Sequence, residues 1–290
     1  MPSGATTRDS LADSVDDVVA SARIASEHVG VMKGLVETED LEPGTQTWKE
    51  STLAPLTAGN VGETTEENTN YQQLTDSAFS ITPTLIQIVT LITALVARQL
   101  NRKAFAKTGV LAGNAIGKKQ NSDLLTSLDG ATTSLGGTAT TVSYSVPASA
   151  VARIRGNVTE PADGDVFYVD HPYAFRDLYA EATAPFGTYD VSGMAAQTFQ
   201  KGFKNFAINT AKCYEDGNIV IDSTPDAKGG IFARKALVLV QDLNLRRDVE
   251  WKPRVRGGSN IVTLTMGYGI GERSAGNWLY EYMHDATVPT

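Results

Sequence analysis

The middle of the chain carries a long apolar, β-branched segment from Phe79 to Thr93, which favours a strand. A short helix-like run, Ala94–Leu100, follows it. A longer helical pattern then runs from about Ala104 to Leu128 and ends at Asp129-Gly130, a pair typical of the C-terminal end of a helix. A strand that leads into one long helix predicts a scaffold on which the rest of the chain is arranged, rather than a catalytic pocket.

The N-terminal segment has a narrow apolar stripe. Between Asp9 and His28 the pattern predicts a helix, because apolar residues recur at alternating spacings of four and three. The residues of the stripe are Leu11, Val15, Val18, Ala22, Ala25 and Val29. Since the stripe is thin, the helix either packs on its own domain or forms an arm that lies against another subunit.

Two β-prone segments flank a polar tip. Thr45–Leu56 is predicted as a strand, Thr57–Thr69 as a turn-rich acidic tip and Asn70–Ser80 as a returning strand, which together make a long hairpin. A two-stranded hairpin is only marginally stable in water, so it needs a surface to lie on. We expect that surface on a neighbouring molecule.

The second half of the chain mixes short helices and strands. Helices are predicted at Pro147–Arg155 and Tyr173–Ala184, and strands at Asp165–Asp170 and Gly217–Ser223, followed by a turn at Pro225–Gly230. The last part is β-rich, with strands predicted at Ala236–Leu243, Asn244–Lys252 and Ile261–Ile270. These elements and the long central helix predict an α+β protein.

Composition and charge narrow the function classes. A chain of 290 residues can bury a sizeable core in one or two domains, and its net charge of −8 argues against a surface that coats nucleic acid. The first residues, MPSGATTRDSLADS, lack the basic and apolar regions of a secretory signal. The apolar run Leu85–Ala97 is shorter than the ~20 residues that a membrane span needs. We therefore expect folding in a cytosol and no membrane partner.

Patterns that would hold a metal or a cofactor are weak. His28, His171 and His284 lie far apart without metal-ligand spacing, and the single Cys213 is typical of a small buried apolar residue. The segment Gly267-Tyr-Gly269-Ile-Gly271 resembles a dinucleotide-binding fingerprint only in its density of glycines, and no βαβ unit follows it. We predict no metal site and no cofactor.

One acidic pattern leaves an enzyme open as an alternative. Asp170-His171, with Asp177 nearby in sequence, could serve a hydrolase. A histidine before a proline at a strand-to-helix turn is more often structural, and no serine lies in a Gly-x-Ser-x-Gly elbow. We therefore predict no catalytic residues.

Charge is divided between the hairpin and the late strands. The hairpin carries glutamates, and the late strands carry arginines and a lysine. These two groups of charges are either ordinary surface charge or a means by which neighbouring copies dock. The hypothesis of docking predicts inter-subunit contacts at Trp48, Lys49, Glu50, Glu63, Glu66, Glu67, Arg246, Arg247, Arg254 and Arg256.

Five segments, in this order along the chain, carry a resemblance to a known family. They are LAPLTAGNVGE at 53–63, NYQQLTDSAFSITPTLIQIVTLITALVARQ at 70–99, VLAGNAIGKKQNSDLLTSLDG at 110–130, GDVFYVDHPYAFRDL at 164–178 and GGIFARKALVLVQDLNLRRDVEWKPRVRGGSNIVTLTMGYGIGERSAG at 229–276. In their order and in their pattern of apolar and polar residues, these segments resemble the major capsid proteins of tailed phages with the HK97 fold. The resemblance covers most of the chain.

The resemblance implies a division of the chain. The parts are an N-terminal arm at 1–44, a hairpin called the E-loop at 45–78, a peripheral (P) domain with a spine helix at 79–145, an axial (A) domain at 146–235, further P-domain strands at 236–266 and a C-terminal return to the A domain at 267–290. It also implies that the polar run Lys118–Asp123 of the spine helix faces the shell interior or a neighbour. Hinge flexibility is expected at Gly30, Gly34, Gly59 and Gly62.

The function implied by the resemblance is structural. Copies of the chain would assemble as hexamers and pentamers into an icosahedral shell around double-stranded DNA, in a virion assembled in the host cytoplasm. The implied partners are other copies of the chain, a separate scaffold protein, a portal, in some cases decoration proteins, and DNA bound without sequence specificity. An encapsulin-like compartment with the same fold and a hydrolase that uses Asp170 and His171 stay open as alternatives.

Overall fold

A computed structural model describes residues 30–63, 71–94, 96, 102–183, 207–255, 257–274 and 276–288. The predicted helix at Asp9–His28 and most of the run at Ala94–Leu100 lie outside these residues. The helices are α1 (Met32–Leu35), α2 (Arg102–Asp129), α3 (Ser145–Arg155) and α4 (Pro172–Thr183). The strands are β1 (Glu37–Asp40), β2 (Trp48–Leu53), β3 (Asp76–Ile81), β4 (Thr84–Thr93), β5 (Ser134–Gly136), β6 (Val166–Asp170), β7 (Ala207–Ile208), β8 (Ala211–Glu215), β9 (Asp226–Ala233), β10 (Leu237–Lys252), β11 (Ser259–Glu272) and β12 (Leu279–Asp285).

The strands form two sheets and a separate hairpin. The first sheet has the order β1-β10-β11-β4, and the second has the order β5-β12-β9-β6-β8-β7. The hairpin consists of β2 and β3, which pair antiparallel from Trp48 opposite Ile81 to Leu53 opposite Asp76. Its paired strands are shorter than the predicted ones, because residues 54–63 carry the polar and turn-forming side chains of the tip.

Helix α2 packs against both sheets through one face. Ile116, Leu124 and Leu128 of this face are buried, and they join residues of both sheets in one apolar core. The other face of the second sheet holds a separate core, to which α3 and α4 contribute. The long predicted helix is therefore confirmed, and it is the element on which the two sheets meet. Within the described ranges, no helix is long and apolar enough to cross a membrane.

The polar run in α2 corrects one expectation. Gln120 and Asn121 are buried, whereas we expected the run Lys118–Asp123 to face the shell interior or a neighbour. At helical spacing, Gln120 follows Ile116 by one turn and so lies on the buried face. The amide of Asn121 donates to the Asp216 carboxylate at 2.8 Å and accepts from the Met32 backbone N–H at 3.2 Å. The run therefore connects α2 to α1 and to the loop after β8.

Gly30 permits this packing. A Cβ atom at Gly30 would lie 1.7 Å from the Asn121 side chain, so only glycine fits there. Gly30 therefore permits close approach to Asn121, and its expected role as a hinge stays a prediction. Gly34, by contrast, has open space around its Cα.

The predictions for the second half were mostly confirmed. The structure has α3, β6 and α4 where the pattern predicted two helices and a strand. The predicted break between Ala236–Leu243 and Asn244–Lys252 is wrong, because β10 continues through both segments. Its register against β11 shifts on either side of Leu243, so an irregularity stands where the break was expected.

Two predictions around residue 225 were wrong. Gly217–Ser223, predicted as a strand, is a turn, because the Asp216 and Asp222 carboxylates accept hydrogen bonds from nearby backbone N–H groups. Pro225–Gly230, predicted as a turn, contains the start of the buried strand β9. Its glycines serve packing, since a Cβ at Gly229 would lie 2.5 Å from the Asp170 carboxyl carbon and one at Gly230 would lie 3.1 Å from Leu128.

Gly269 and Gly271 of β11 let the end of the hairpin lie on the first sheet. Gly267, Gly269 and Gly271 alternate along β11, so they are on the face of the sheet opposite to α2. A Cβ at Gly269 would lie 2.6 Å from Ile81 and 3.1 Å from the Pro83 backbone. The segment that resembled a dinucleotide fingerprint is therefore a flat seat for the end of β3.

The seat predicts opposite effects for two alanine substitutions. Gly269→Ala should destabilise the protein by about 1–3 kcal/mol, because the added methyl overpacks the contact with Ile81 and Pro83. Gly113→Ala in α2 should stabilise it by up to about 1 kcal/mol, since nothing lies within 4 Å of that position and alanine favours the helix. Denaturant unfolding of both variants checks this, and a shift of the same sign in both would contradict the packing argument.

Candidate assembly surface

The base of the hairpin is held to its own chain by an apolar cluster. Trp48 and Phe79 meet edge to face, with ring centroids 6.1 Å apart, and both pack on the buried trio Ile81, Val238 and Val240. These valines alternate with Leu237 and Leu239 of the inner core, so β10 is apolar on both faces at this point. We call the residues Trp48, Glu50, Phe79 and Ile81 the hairpin base.

An arginine completes the attachment of the hairpin base. Arg273, one residue beyond β11, donates from Nε to the Glu50 carboxylate at 2.6 Å and from Nη1 to the Glu37 carboxylate. Nη1 also donates to the Lys235 carbonyl at 3.0 Å. Burial opposes the charge, but the bonds to Glu37 and Glu50 outweigh it and raise the pKa of Arg273. One cation therefore joins β2, β1 and the end of β11.

Beyond its base, the described residues of the hairpin are exposed, and none of them belongs to a buried apolar cluster. We call residues 54–63 and 71–75 the distal hairpin. Its two sides are joined by the Ala54 N–H, which donates to the Thr75 carbonyl at 2.9 Å, and by the Gln72 amide, which bonds the N–H and carbonyl of Thr57. Large apolar side chains at the end of β2 and along the distal hairpin are more than half exposed, namely Leu53, Leu56, Val61, Tyr71 and Leu74. These exposed apolar side chains make the distal hairpin a candidate interaction surface.

The far end of β10 is a second exposed region. Arg246 pairs with Asp248 at 3.2 Å and Lys252 pairs with Glu250 at 3.4 Å, all on exposed or half-exposed side chains of β10. Such pairs contribute only about 0–1 kcal/mol each. Apolar side chains stand among them, with Leu245, Val249 and Trp251 each about half exposed. Charge and apolar area are therefore mixed on this strand.

The predicted inter-subunit residues fall into three groups. Trp48 and Glu50 belong to the hairpin base and contact their own chain. Lys49, Glu63, Arg246, Arg247 and Arg254 are exposed, and Glu66, Glu67 and Arg256 lie outside the described residues. Inter-subunit contact by any of them stays a prediction. Arg273 was missed, because an arginine in the sequence Gly-Glu-Arg-Ser gives no sign that two distant glutamates converge on it.

Two of the candidate hydrolase residues, Asp170 and His171, are buried in a structural network, whereas Asp177 is partly exposed and pairs with Arg176. The Asp170 carboxylate is fully buried and accepts from the Tyr168 hydroxyl, the His171 backbone N–H at 2.7 Å and His284 Nε2 at 2.8 Å. The His171 side chain is buried too, and its Nδ1 accepts from the Tyr173 N–H at 3.3 Å. Because protein groups surround the carboxylate, the geometry favours a structural role for it over catalysis.

His284 is the buried partner of the Asp170 carboxylate. Its Nδ1 faces the Asp285 carbonyl, which can only accept, so Nδ1 holds a proton while Nε2 donates to Asp170. Burial alone would lower the pKa of His284, but the attraction and hydrogen bond of Asp170, the Asp285 carbonyl and the charge of Asp177 together raise it. The pair links β6 to the C-terminal strand β12.

Cys213 is buried in the second sheet, as predicted. Burial is the main cause that raises the pKa of its thiol to about 12, so the thiolate that would act as a nucleophile is suppressed. Among the described residues, no group of three or more His, Cys, Asp or Glu side chains is placed to hold a metal ion.

The whole arrangement matches solved bacteriophage capsids. The head structure of Helicobacter pylori bacteriophage KHP40 aligns with a TM-score of 0.70 at 13% identity, over 93% of this chain and 95% of the other. The capsid structure of cyanophage P-SCSP1u aligns with a TM-score of 0.68 at 10% identity, over 94% and 93%. The acidic stable capsid structure of H. pylori bacteriophage KHP30 aligns with a TM-score of 0.68 at 12% identity, over 97% and 98%.

The chain has the bacteriophage capsid fold. No family model and no curated protein sequence matches it, so the likeness lies in the three-dimensional arrangement. The predicted α+β class with an HK97-like fold is thereby confirmed. In this fold, the hairpin base is held to the first sheet by the apolar cluster and by the ion pairs of Arg273 with Glu50 and Glu37.

Removing the arginine should loosen the hairpin. In Arg273→Met, two carboxylates would face each other without a cation, and we expect a loss of about 1–2 kcal/mol because the site is partly exposed. Hydrogen exchange of the β2 and β3 amides should rise more than exchange in β6. Arg246→Met is the matched control, since its pair is exposed, and an equal effect of both substitutions would refute the role of Arg273.

The buried pair predicts a pH dependence of stability. Because the folded state raises the pKa of His284, it binds that proton more tightly than the unfolded chain, whose histidine pKa is about 6.5. The stabilisation is therefore complete below about pH 6.5 and is lost as the pH rises through the folded pKa, by up to about 1.4 kcal/mol per pH unit. Denaturant unfolding between about pH 6 and 9 measures this slope. His284→Gln should lack it, and an unchanged slope in that variant would contradict the assignment.

Proposed function

We propose that this chain is a major capsid protein whose copies assemble as hexamers and pentamers into an icosahedral shell around double-stranded DNA. The observation that supports it most is the alignment with phage capsids over nearly the full length of both chains. The protein would act in the virion, after assembly in the host cytoplasm. A separate scaffold protein, a portal and, in some shells, decoration proteins would be its further partners.

The proposed parts of the subunit follow the sheets. The first sheet and α2 would form the P domain, the second sheet with α3 and α4 the A domain, and β2–β3 with the distal hairpin the E-loop. The proposed boundaries are close to those expected at 79, 146 and 236. The strand β12 returns to the second sheet, where it pairs with β9 and β5.

The mechanism of assembly would be geometric. A hairpin that is fixed at its base by Arg273 and exposed along its distal part is suited to lie over a neighbour. The apolar side chains of the distal hairpin would then leave water, at about 25 cal/mol per Å² of apolar surface buried. The acidic tip near Glu63 and the exposed Arg246, Arg247 and Arg254 are the charges through which neighbours would set their register.

The net charge fits a container for DNA. With a charge of −8, the chain repels phosphates, and an inner wall that does not hold the genome lets it slide during packaging. Tight binding of DNA by the purified protein at physiological salt would contradict this part of the proposal.

Shortening the hairpin should separate folding from assembly. Deletion of residues 54–66 leaves the β2–β3 pairs and the hairpin base in place, so the subunit should stay folded and soluble. It should form no closed shells, because it lacks most of the surface that covers a neighbour. Negative-stain microscopy and sedimentation measure the outcome, with circular dichroism as the test of folding.

A point control accompanies the deletion. Val158→Ser changes an exposed valine far from the hairpin in sequence, and it should assemble like the unmodified chain. Leu56→Ser and Leu74→Ser together should lower the yield of particles without unfolding the subunit. Normal particles from the deletion would rule out the assembly role of the hairpin.

A further inference from the structure

Strand β4 lies at an outer edge of the first sheet. It pairs on one side with β11, from Thr84 opposite Tyr268 to Thr93 opposite Ser259. In the described part of the chain, no strand pairs with its other side. Alternate backbone N–H and C=O groups of a ten-residue strand therefore point away from the sheet, where another strand could bind them.

The edge lacks the features that usually prevent such binding. Its sequence, TLIQIVTLIT, contains no charged residue and no proline, and most of its residues favour β-structure. On the face opposite to α2, Leu85 is 66% exposed and Val89 is 56% exposed. Gln87 stands between them on the same face and is exposed too. An uncharged edge with exposed apolar side chains is suited to pairing with a second strand.

We propose that β4 pairs antiparallel with β4 of a second copy of this chain, around a two-fold axis at Gln87. A two-fold axis perpendicular to a sheet keeps each face of the sheet on the same side, so opposed residues come from the same face. With the axis at Gln87, the exposed Leu85 lies opposite Val89 of the partner subunit, and Gln87 lies opposite its own copy. On the face towards α2, Ile86 lies opposite Ile88 of the partner subunit.

Burial selects this register over its neighbours. Ile92 and Thr93 are buried within their own subunit, so the accessible part of the strand ends before them. Pairing around Gln87 uses Thr84 to Thr90, whereas pairing around Ile88 would need Ile92 at the far end. The chosen register also opposes Leu85 to Val89, the two most exposed side chains of the strand. Cross-strand pairs of this kind are the contacts that stabilise antiparallel sheets.

The contact joins two copies rather than a copy and a different protein, because the strand complements itself. Like side chains oppose each other at every position, with no charge that would repel a second copy. The inference deepens the proposed function, on which it rests, because a shell of identical subunits contains two-fold contacts. The inference identifies one of these two-fold contacts and the register in which its two strands pair.

Single cysteines test the register. In a Cys213→Ala background, Gln87→Cys places two thiols opposite each other at the axis, where a short bis-maleimide can join them. We expect at least about tenfold more cross-linked dimer than from Val220→Cys, because opposed β-carbons in the pair lie ~5 Å apart. Val220 is the matched control, since it is highly exposed and lies outside the strands of both sheets. A mixture of Leu85→Cys and Val89→Cys chains should cross-link more than either alone.

The outcomes separate this contact from the proposed function. Particles that form while Gln87→Cys gives no more dimer than Val220→Cys would overturn the pairing and leave the shell intact. If no particles form, the proposed function fails. In that case, cross-linked dimer from the soluble Gln87→Cys protein would still support the pairing of β4, and the absence of this dimer would refute the pairing. A cross-link from β4 to another segment of the chain would also refute it, because that segment would then occupy the edge.

A charge at the axis gives an independent test. Gln87→Lys sets two like charges against each other only if the strands pair, which is how natural edges are blocked. The variant should stay folded, since the side chain points to solvent, and its yield of particles should fall by about tenfold or more. Val220→Lys should not change the yield, and equal yields from the two variants would overturn the inference.

Discussion

The contact between Arg273 and the two glutamates is the one on which the rest of the assembly surface depends. A hairpin with exposed apolar side chains can cover a neighbour only if its direction is fixed, and direction is set where the hairpin leaves the sheet. There, Arg273 holds Glu50 of β2 and Glu37 of β1, while Gly269 lets Ile81 lie flat on β11. The ion pair orients β2 relative to β1 and β11, and Gly269 sets how closely β3 approaches β11. Neither could be replaced by apolar area alone, because apolar contact is not directional.

Apolar packing and a directional polar contact also act together inside the subunit. Helix α2 supplies apolar side chains to a core shared by both sheets, and this core is the main source of stability. Its buried Asn121 adds specificity, because an amide that is removed from water must find its partners, here Asp216 and the N–H of Met32. The amide therefore fixes how the start of the described chain, the helix and the second sheet meet.

Much of the fold could be predicted from the sequence because its patterns are local. The long helix, the hairpin and the short elements α3, β6 and α4 each show their own periodicity or turn residues. The predictions were wrong or incomplete where residues distant in sequence determine the local structure. Gly229 and Gly230 suggest a turn until Asp170 and Leu128 are known to press against them. The role of Arg273 has no local sequence signal, because the two glutamates that it binds are brought to it only by folding. Gln120 and Asn121 are polar and so suggest a solvent-exposed face, but their helical positions place them on the buried side of α2.

The distribution of exposed apolar side chains explains how one chain can be both stable and ready to assemble. Strand β6 is buried along its whole length between two cores, so the second sheet has a continuous apolar centre within its own subunit. Exposed apolar residues instead concentrate on the hairpin, on β4, on the first half of α2 and on the far end of β10. The exposed apolar surface of the described residues therefore lies mainly on the first sheet, the hairpin and the first half of α2. In the proposed shell, contacts between copies would bury the apolar surface that the isolated chain leaves exposed, while the two cores hold the shape of each copy.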